Sequence, residues 1–301
     1  MGRPVYIVDA FTRVSCAGNP AGVVTRADGL SDEQMQAIAR ELRQTETCFV
    51  MRGTDAGVDY HLRWFTPTVE VDLCGHATVA AYTCLTAEGR VPFGAEPAHL
   101  RHTTRRGVLS VWVEGEGCAA RNVSMSAGVA SVRRARDDPA EVARAVGLDP
   151  ASLDPELPVA ADEASQRIIV PVGRLTDLLN LVPNSAGMIG YGQTAPYRRF
   201  TLVCRETLDP RFRTHLRHFA PANGIPEDPV TGTAHAVIAV YLEWLGLQPS
   251  GDRVRYEGEQ GHAVRRPGSV TVELLREKGA VVDVRIGGQG HIVTRGQIEA
   301  D

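Results

Sequence analysis

The chain has 301 residues, of which 43% are apolar, and a formal net charge of −4. This length suits two domains of ordinary size, and the negative charge excludes a basic surface for nucleic acid or an anionic membrane. No apolar run approaches the roughly 18 residues that a membrane-spanning helix needs. The six cysteines include no CxxC pair, which fits reduced thiols. We therefore expect a cytoplasmic protein that acts on a small molecule.

Short apolar or alternating runs predict strands in both halves of the chain. In chain order, the predicted strands are residues 4–8, 21–25, 48–51, 60–65, 108–113, 167–172, 199–203, 270–275 and 281–286. Helices are fewer. Ser31 is the predicted N-cap of a helix that runs to about Arg43, and another helix covers 139–145. The pattern indicates a mixed α+β protein.

An internal repeat is the most informative feature of the sequence. Residues 62–67 read LRWFTP and residues 216–221 read LRHFAP, with four identities in six positions. An acidic linker follows each hexapeptide, and a glycine then opens a helix, Gly75 in the first copy and Gly232 in the second. The copies are offset by 154 residues at the hexapeptides and by 157 at the glycines, so the second linker is three residues longer.

Both helices of the repeat, over 75–89 and 232–246, are apolar on most sides. A helix that is apolar nearly all round is a buried helix. Because predicted strands flank each helix, we expect each half to form a sheet wrapped around a central helix. The alternative is that two strand–turn–helix units resemble each other by coincidence.

The repeated helix starts indicate anion binding. The first turn of a helix carries unpaired backbone N–H groups and a partial positive charge, and a glycine there lets a ligand approach the backbone. Such starts would bind a carboxylate and stabilise negative charge that develops beside it. We therefore predict a small carboxylate-bearing substrate and chemistry that removes a proton near its carboxylate.

Four side chains near these starts could carry that chemistry: Glu46, Cys74, His76 and Asp228. A partly buried glutamate or a histidine is a suitable general acid/base. Each residue also has an ordinary structural explanation: a solvated strand end, a helix residue, a packed thiol or a turn cap. Zinc binding by the thiol and the imidazole is disfavoured, because further ligands are missing at any standard spacing.

The chain resembles the PhzF family, the phenazine-biosynthesis-like isomerases, over nearly its whole length. The matching motifs are GNPAGV at 18–23, TETCFV at 45–50, FTP at 65–67, CGHA at 74–77, FAP at 219–221 and EDPVTGTA at 227–234. The order and spacing of these motifs make the resemblance specific.

The resemblance implies the diaminopimelate epimerase-like fold, with two pseudo-symmetric domains that are each a curled, mostly antiparallel sheet around a central helix. The expected domains are 1–122, to which 287–301 returns, and 123–286, with the active site in the cleft between them. The family is usually dimeric and uses no metal or organic cofactor. We therefore expect a homodimer without a cofactor.

The resemblance also assigns roles to residues. Glu46, His76 and Asp228 match the catalytic residues of the family. The predicted substrate-binding residues are Gly75, Gly232, Thr233, Asn19 and Cys74. The best-understood member of the family isomerises trans-2,3-dihydro-3-hydroxyanthranilate by moving a proton along a conjugated ring, which implies antibiotic or other natural-product biosynthesis for this chain.

One departure separates the chain from the related epimerases and racemases, which use two catalytic thiols. Cys74 occupies the position of their first thiol, but residues 228–231 contain no second thiol. This favours a one-base proton shift by Glu46 within a conjugated carboxylate. Two alternatives remain at this point, an amino-acid racemase or epimerase that uses Cys74 with a non-thiol partner, and a non-catalytic, ligand-binding member of the family.

Overall fold

A computed structural model describes residues 2–94 and 96–299. These residues form two compact units. The first unit contains the described residues up to Ser126 together with the segment from Gly287, and the second unit is Ala127–Ile286. The division falls after Ser126 because the strand that begins at Ala119 continues to that residue.

Strands dominate the secondary structure in both units. In chain order they are β1 (Arg3–Ala10), β2 (Asn19–Val24), β3 (Thr47–Arg52), β4 (Tyr60–Phe65), β5 (Glu70–Val71), β6 (Ala98–Thr104), β7 (Gly107–Glu116), β8 (Ala119–Ser126), β9 (Val132–Arg134), β10 (Ala160–Asp162), β11 (Arg167–Pro171), β12 (Arg199–Cys204), β13 (His215–Ala220), β14 (Ile225–Asp228), β15 (Arg253–Gln260), β16 (Gly268–Glu277), β17 (Ala280–Gly288) and β18 (Gly290–Ile298). The α-helices are α1 (Asp32–Leu42), α2 (Gly75–Ala87), α3 (Pro139–Val146), α4 (Leu175–Asn180), α5 (Ser185–Thr194) and α6 (Gly232–Trp244). The α+β prediction is confirmed, and every predicted strand and helix has its counterpart.

The first unit is a mostly antiparallel sheet around the buried helix α2. Strand β1 pairs antiparallel with β2 and β18, β3 with β4, and β7 with β6 and β8; the pairs β2–β3 and β4–β6 are parallel. Every residue of α2 from Ala77 to Thr86 is buried. Its threonine hydroxyls, such as that of Thr83, donate to carbonyls one turn back, which satisfies polar atoms that burial removes from water.

Helix α1 lies at the edge of the first unit and follows the rules for an amphipathic surface helix. The Ser31 hydroxyl accepts from the Gln34 backbone N–H, and the Gln34 side chain accepts from the Ser31 N–H, which is a capping box. The helix ends at Arg43 in the left-handed conformation. Its buried residues pack against strands β3 and β4.

The second unit repeats this plan around helix α6. Antiparallel pairs join β9 to β10, β10 to β11, β12 to β13, β13 to β14 and β15 to β16, while β11–β12 and β13–β15 are parallel. One face of the sheet packs on α6 through residues such as Ile169 and Ile238. The other face packs on helices α3, α4 and α5 through residues such as Val142 and Met188.

The internal repeat is visible in the side chains as well as in the elements. In the first unit Arg63 makes a two-pronged ion pair with Glu70, at 2.7 and 2.8 Å. In the second unit Arg217 makes the same pair with Glu227, at 2.9 and 2.7 Å. The longer second linker contains a 3-10 turn, Pro221–Asn223. The predicted repeat is therefore a repeated strand, ion pair and buried helix.

Candidate active site

The start of helix α2 presents backbone groups without a side-chain cap. Helix α2 begins at Gly75, and its N-cap residue Cys74 is extended, with φ −140° and ψ 115°. The Cys74 thiol makes no capping hydrogen bond to the helix. The first N–H groups of the helix, which have no acceptor within it, are therefore available to a ligand.

Glu46 lies immediately before β3, and the sheet fixes its backbone. The Glu46 carbonyl accepts from the Gly22 N–H at 3.0 Å, which ties it to the neighbouring strand β2. Its side chain is only 15% exposed, and its Oε2 lies 3.4 Å from Nε2 of His76. Glu46 therefore lies at the start of α2 although it is far from that helix in sequence.

The His76 imidazole contacts the other polar groups at this helix start. Its Nδ1 lies 3.4 Å from Sγ of Cys74, and its Nε2 lies 3.4 Å from Oγ1 of Thr45 as well as from the Glu46 carboxylate. The thiol, imidazole and carboxylate donor atoms all lie within 4.8 Å of one another. The three side chains could pass a proton among themselves, and the same donors could hold a metal ion, with Glu46 supplying a ligand that sequence spacing did not reveal.

Asn19 begins β2 in the same unit and is fully buried. The next residue, Pro20, accepts from the Thr45 hydroxyl at 3.4 Å. The structure thus brings Glu46, Cys74 and His76 together and places the Asn19 segment beside Thr45.

The start of helix α6 holds the predicted residues of the second unit. The Thr231 hydroxyl, at the N-cap, donates to the Asp228 carboxylate. The Gln260 side chain donates to the Asp228 carbonyl at 2.8 Å and accepts from the Thr231 N–H at 3.0 Å. Gly232 is buried and Thr233 is exposed. Asp228 is therefore part of a hydrogen-bonded network, and Thr233 is an exposed residue beside it.

Arg167 is a component of this helix start that sequence reasoning missed. It begins β11 and is almost fully buried, and its guanidinium donates to the Thr233 carbonyl at 2.7 Å and to the Thr233 hydroxyl at 3.2 Å. Burial, and to a smaller extent the charge of Arg199, lower the pKa of Arg167 to about 9, although Asp162 and Asp228 act in the opposite direction. The only sequence signal was a charged residue at the edge of an apolar strand, which ordinarily indicates a solvated end.

Two buried histidines lie near this guanidinium. Burial holds the pKa of His218 well below its usual range, and the charges of Arg167 and Arg199 act in the same direction. Burial likewise lowers the pKa of His235 to about 3. Both imidazoles are therefore neutral near pH 7. His235 is a buried residue of α6.

The fold and these helix starts define an α+β protein of the diaminopimelate epimerase-like class, as predicted. The family described as phenazine biosynthesis-like protein (PhzC-PhzF) matches residues 8–296. An uncharacterized isomerase of Clostridium acetobutylicum is 32% identical over 98% of this chain and 97% of its own length. The chain therefore belongs to the PhzF family of isomerases.

Solved structures agree with this assignment. The crystal structure of a PhzF-family phenazine biosynthesis protein of Bacillus anthracis matches with a TM-score of 0.87 and 30% identity, covering 99% of each chain. A hydroxyproline epimerase of Agrobacterium vitis matches with a TM-score of 0.60 and 14% identity, over 100% of this chain and 93% of that one. The second likeness is one of fold alone. No helix among the described residues is long and apolar enough to cross a membrane.

Proposed function

We propose that this protein is a cofactor-independent isomerase that moves a proton within a small, conjugated carboxylate, with Glu46 as the general acid/base. The observation that carries the proposal is the 3.4 Å separation between the Glu46 carboxylate and the His76 imidazole at the start of α2. A carboxylate at an uncapped helix start can take a proton from a bound substrate while the backbone N–H groups stabilise the charge that develops.

Substrate binding in this proposal uses backbone N–H groups at uncapped helix starts. Gly75 and Gly232 open α2 and α6, and each N-cap side chain leaves the helix uncapped. The substrate carboxylate would accept from such N–H groups, which favour anions. Asp228 and Thr233 would then contact the polar groups of the substrate in the second unit, and His76 would orient and tune Glu46.

A single base fits the residues at the two N-caps. Cys74 and Thr231 hold corresponding places in the repeat, directly before Gly75 and Gly232. The Thr231 hydroxyl donates to a carboxylate and is a far weaker base than a thiolate. These two N-caps therefore do not provide the pair of thiols that inversion at one carbon would use. Return of the proton to another atom of the substrate by Glu46 requires one base only.

Glu46→Gln tests the proposal. We would follow deuterium incorporation from D₂O by NMR with trans-2,3-dihydro-3-hydroxyanthranilate and a panel of small unsaturated carboxylates. Because a positioned acid/base contributes about 10²–10⁴-fold, turnover of the accepted substrate should fall by at least that factor. Glu41→Gln, at an exposed residue of α1, is the matched control. Full activity of Glu46→Gln would show that another group moves the proton.

A racemase or epimerase remains the second candidate, because the Cys74 thiol lies 3.4 Å from the His76 imidazole, which could activate it. The same D₂O assay with trans-4-hydroxy-L-proline and proline separates the two candidates. Inversion with deuterium at the α-carbon would support the racemase, whereas deuterium at a new carbon with a shifted double bond supports the isomerase.

We also propose a role in natural-product biosynthesis and a homodimeric state. Basic residues are almost all arginine, with Lys278 as the single lysine, which is typical of GC-rich bacterial genomes, where such pathways are common. Light scattering of the purified protein tests the dimer, and the genes beside this one test the pathway. A monomer, or neighbouring genes of central metabolism alone, would argue against these two assignments.

A further inference from the structure

The buried guanidinium of Arg167 is held by neutral oxygens. Two of its nitrogens donate to the carbonyl and the hydroxyl of Thr233, and Nε has no hydrogen-bond partner among the described residues. Arg167 is 2% exposed. A buried cation costs free energy unless an opposite charge or a full set of hydrogen bonds compensates it. Asp162 and Asp228 stabilise this charge without a hydrogen bond to it among the described residues. The guanidinium thus lacks a direct carboxylate partner, and its charge favours an anion at the start of α6.

The Arg167 contact also fixes the direction of the Thr233 hydroxyl. Because the Thr233 oxygen accepts from the guanidinium, the hydroxyl hydrogen must point elsewhere. Thr233 is exposed, and it is the second residue of α6, where backbone N–H groups have no acceptor within the helix. The hydroxyl can thus donate to a ligand at this helix start together with the first backbone N–H groups, and the buried guanidinium lies within hydrogen-bond distance of the same hydroxyl.

We propose that Arg167 is a positioning residue, which turns the Thr233 hydroxyl and the start of α6 into a site selective for a carboxylate over a neutral group of the same shape. This inference deepens the proposed function, on which it rests, by assigning recognition of the substrate carboxylate to the second unit. Arg167 acts through Thr233 and through its charge, without touching the substrate.

Equilibrium binding of benzoate and of its uncharged isostere benzamide tests the proposal without turnover. Titration calorimetry of the full-length protein should show tighter binding of benzoate. Arg167→Met should weaken the affinity for benzoate by about tenfold, the range expected for a charge-assisted hydrogen bond, and leave the affinity for benzamide unchanged. Arg167→Lys keeps the charge but loses the planar fork, so its benzoate affinity should lie in between. Arg144→Met, at an exposed residue of α3, is the matched control.

A double-mutant cycle separates positioning from a general structural role. If Arg167 acts through the hydroxyl, Thr233→Val should also weaken benzoate binding. The double variant should then lose much less binding free energy for benzoate than the sum of the losses in the two single variants. Equal losses for benzoate and benzamide, or unchanged benzoate affinity in Arg167→Met, would overturn the proposal. Should Arg167→Met not fold, unchanged benzoate binding in both Arg167→Lys and Thr233→Val would overturn it.

These outcomes are distinguishable from failure of the proposed function. Benzoate selectivity that depends on Arg167 can stand even if Glu46→Gln remains active, in which case the proton carrier is wrong and the anion site is right. If benzoate affinity does not change in Arg167→Met and the Glu46→Gln variant is inactive, the proposed isomerase function stands and the proposed role of Arg167 is wrong.

Discussion

In the first unit the buried helix begins beside a carboxylate, a thiol and an imidazole. In the second unit it begins beside a buried guanidinium and a carboxylate, that of Asp228, which accepts from the N-cap hydroxyl. The strand pairings define which residues correspond. Phe65 pairs with Thr47 in the first unit, and Phe219 pairs with Phe200 in the second. One residue earlier on each partner strand, Glu46 therefore corresponds to Arg199.

The parallel neighbours extend this correspondence. Gly22 pairs with Thr47, and Ile168 pairs with Phe200, so Ala21 corresponds to Arg167. At two equivalent positions the first unit thus has an acid and a methyl group, and the second unit has two arginines. The repeated scaffold supplies an uncapped helix start twice, and we propose that the side chains beside it serve proton transfer at one start and anion binding at the other.

The repeated Arg–Glu pair should contribute more stability in the second unit. Arg217 is 3% exposed, and its NH1 also donates to the carbonyls of Leu178 and Leu181. Removing it leaves the half-buried Glu227 without its partner and two buried carbonyls without their donor, so Arg217→Met should lower the free energy of unfolding by about 3–5 kcal/mol. Urea unfolding followed by circular dichroism measures this loss.

The matched variant in the first unit is Arg63→Met. Arg105 lies 3.4 Å from Glu70 and remains as a partner for that carboxylate, and the Arg63 side chain is 17% exposed. We expect a smaller loss, about 1–2 kcal/mol. Equal losses for the two variants would mean that the second pair gains nothing from its deeper burial.

Acid should destabilise the second unit more than the first. The pKa of His235 falls to about 3 and that of His102, in the first unit, to about 4, mainly through burial, while burial also lowers the pKa of His218. Because the unfolded chain binds these protons near pH 6.5, stability is complete above that pH and is lost as the pH falls toward the folded values. At pH 5 the loss is about 2 kcal/mol for each of His102 and His235.

Hydrogen exchange at pH 7 and pH 5, corrected for the intrinsic rates, measures this difference between units. Protection should fall more on β13 and α6 than on β6 and α2. His235→Phe should reduce the pH dependence of the free energy of unfolding, whereas His99→Gln, at an exposed residue, should leave it unchanged. Greater loss of protection in the first unit would contradict the assignment of neutral buried imidazoles to the second.

Much of this architecture could be predicted because it follows from local sequence patterns. The Ser31 cap, the alternating strands and the two apolar helices follow from residue type and spacing, and all of them are present. Helix α5 (Ser185–Thr194) was missed. Its three glycines lower helix propensity, and it is stabilised by the Asn184 cap and by packing of Met188 in the core. Tertiary contacts of this kind have no local signature.

The site was less predictable than the fold. Locally, Glu46 is a polar residue before a strand, one of four candidates that also have an ordinary structural explanation, and the family motif was the stronger indication of catalysis. Its approach to His76 depends on the pairing of β2 and β3. Arg167 is 66 residues from Thr233, so no spacing rule could join them. Contacts that form through sheet register or across a buried interior require the folded chain.

Among substitutions of the candidate catalytic residues in the first unit, Cys74→Ser should have a smaller effect than Glu46→Gln. If Glu46 is the only base, the thiol serves packing and contacts His76, and a hydroxyl fills nearly the same volume. Turnover of the isomerase substrate in the D₂O assay should then fall by less than about tenfold, well below the factor for a general acid/base. Thr231→Ser, at the corresponding N-cap, should likewise lower turnover by less than about tenfold. Loss of all activity in Cys74→Ser alone would make the thiol a second proton carrier, and the first unit would then contain both bases of the reaction.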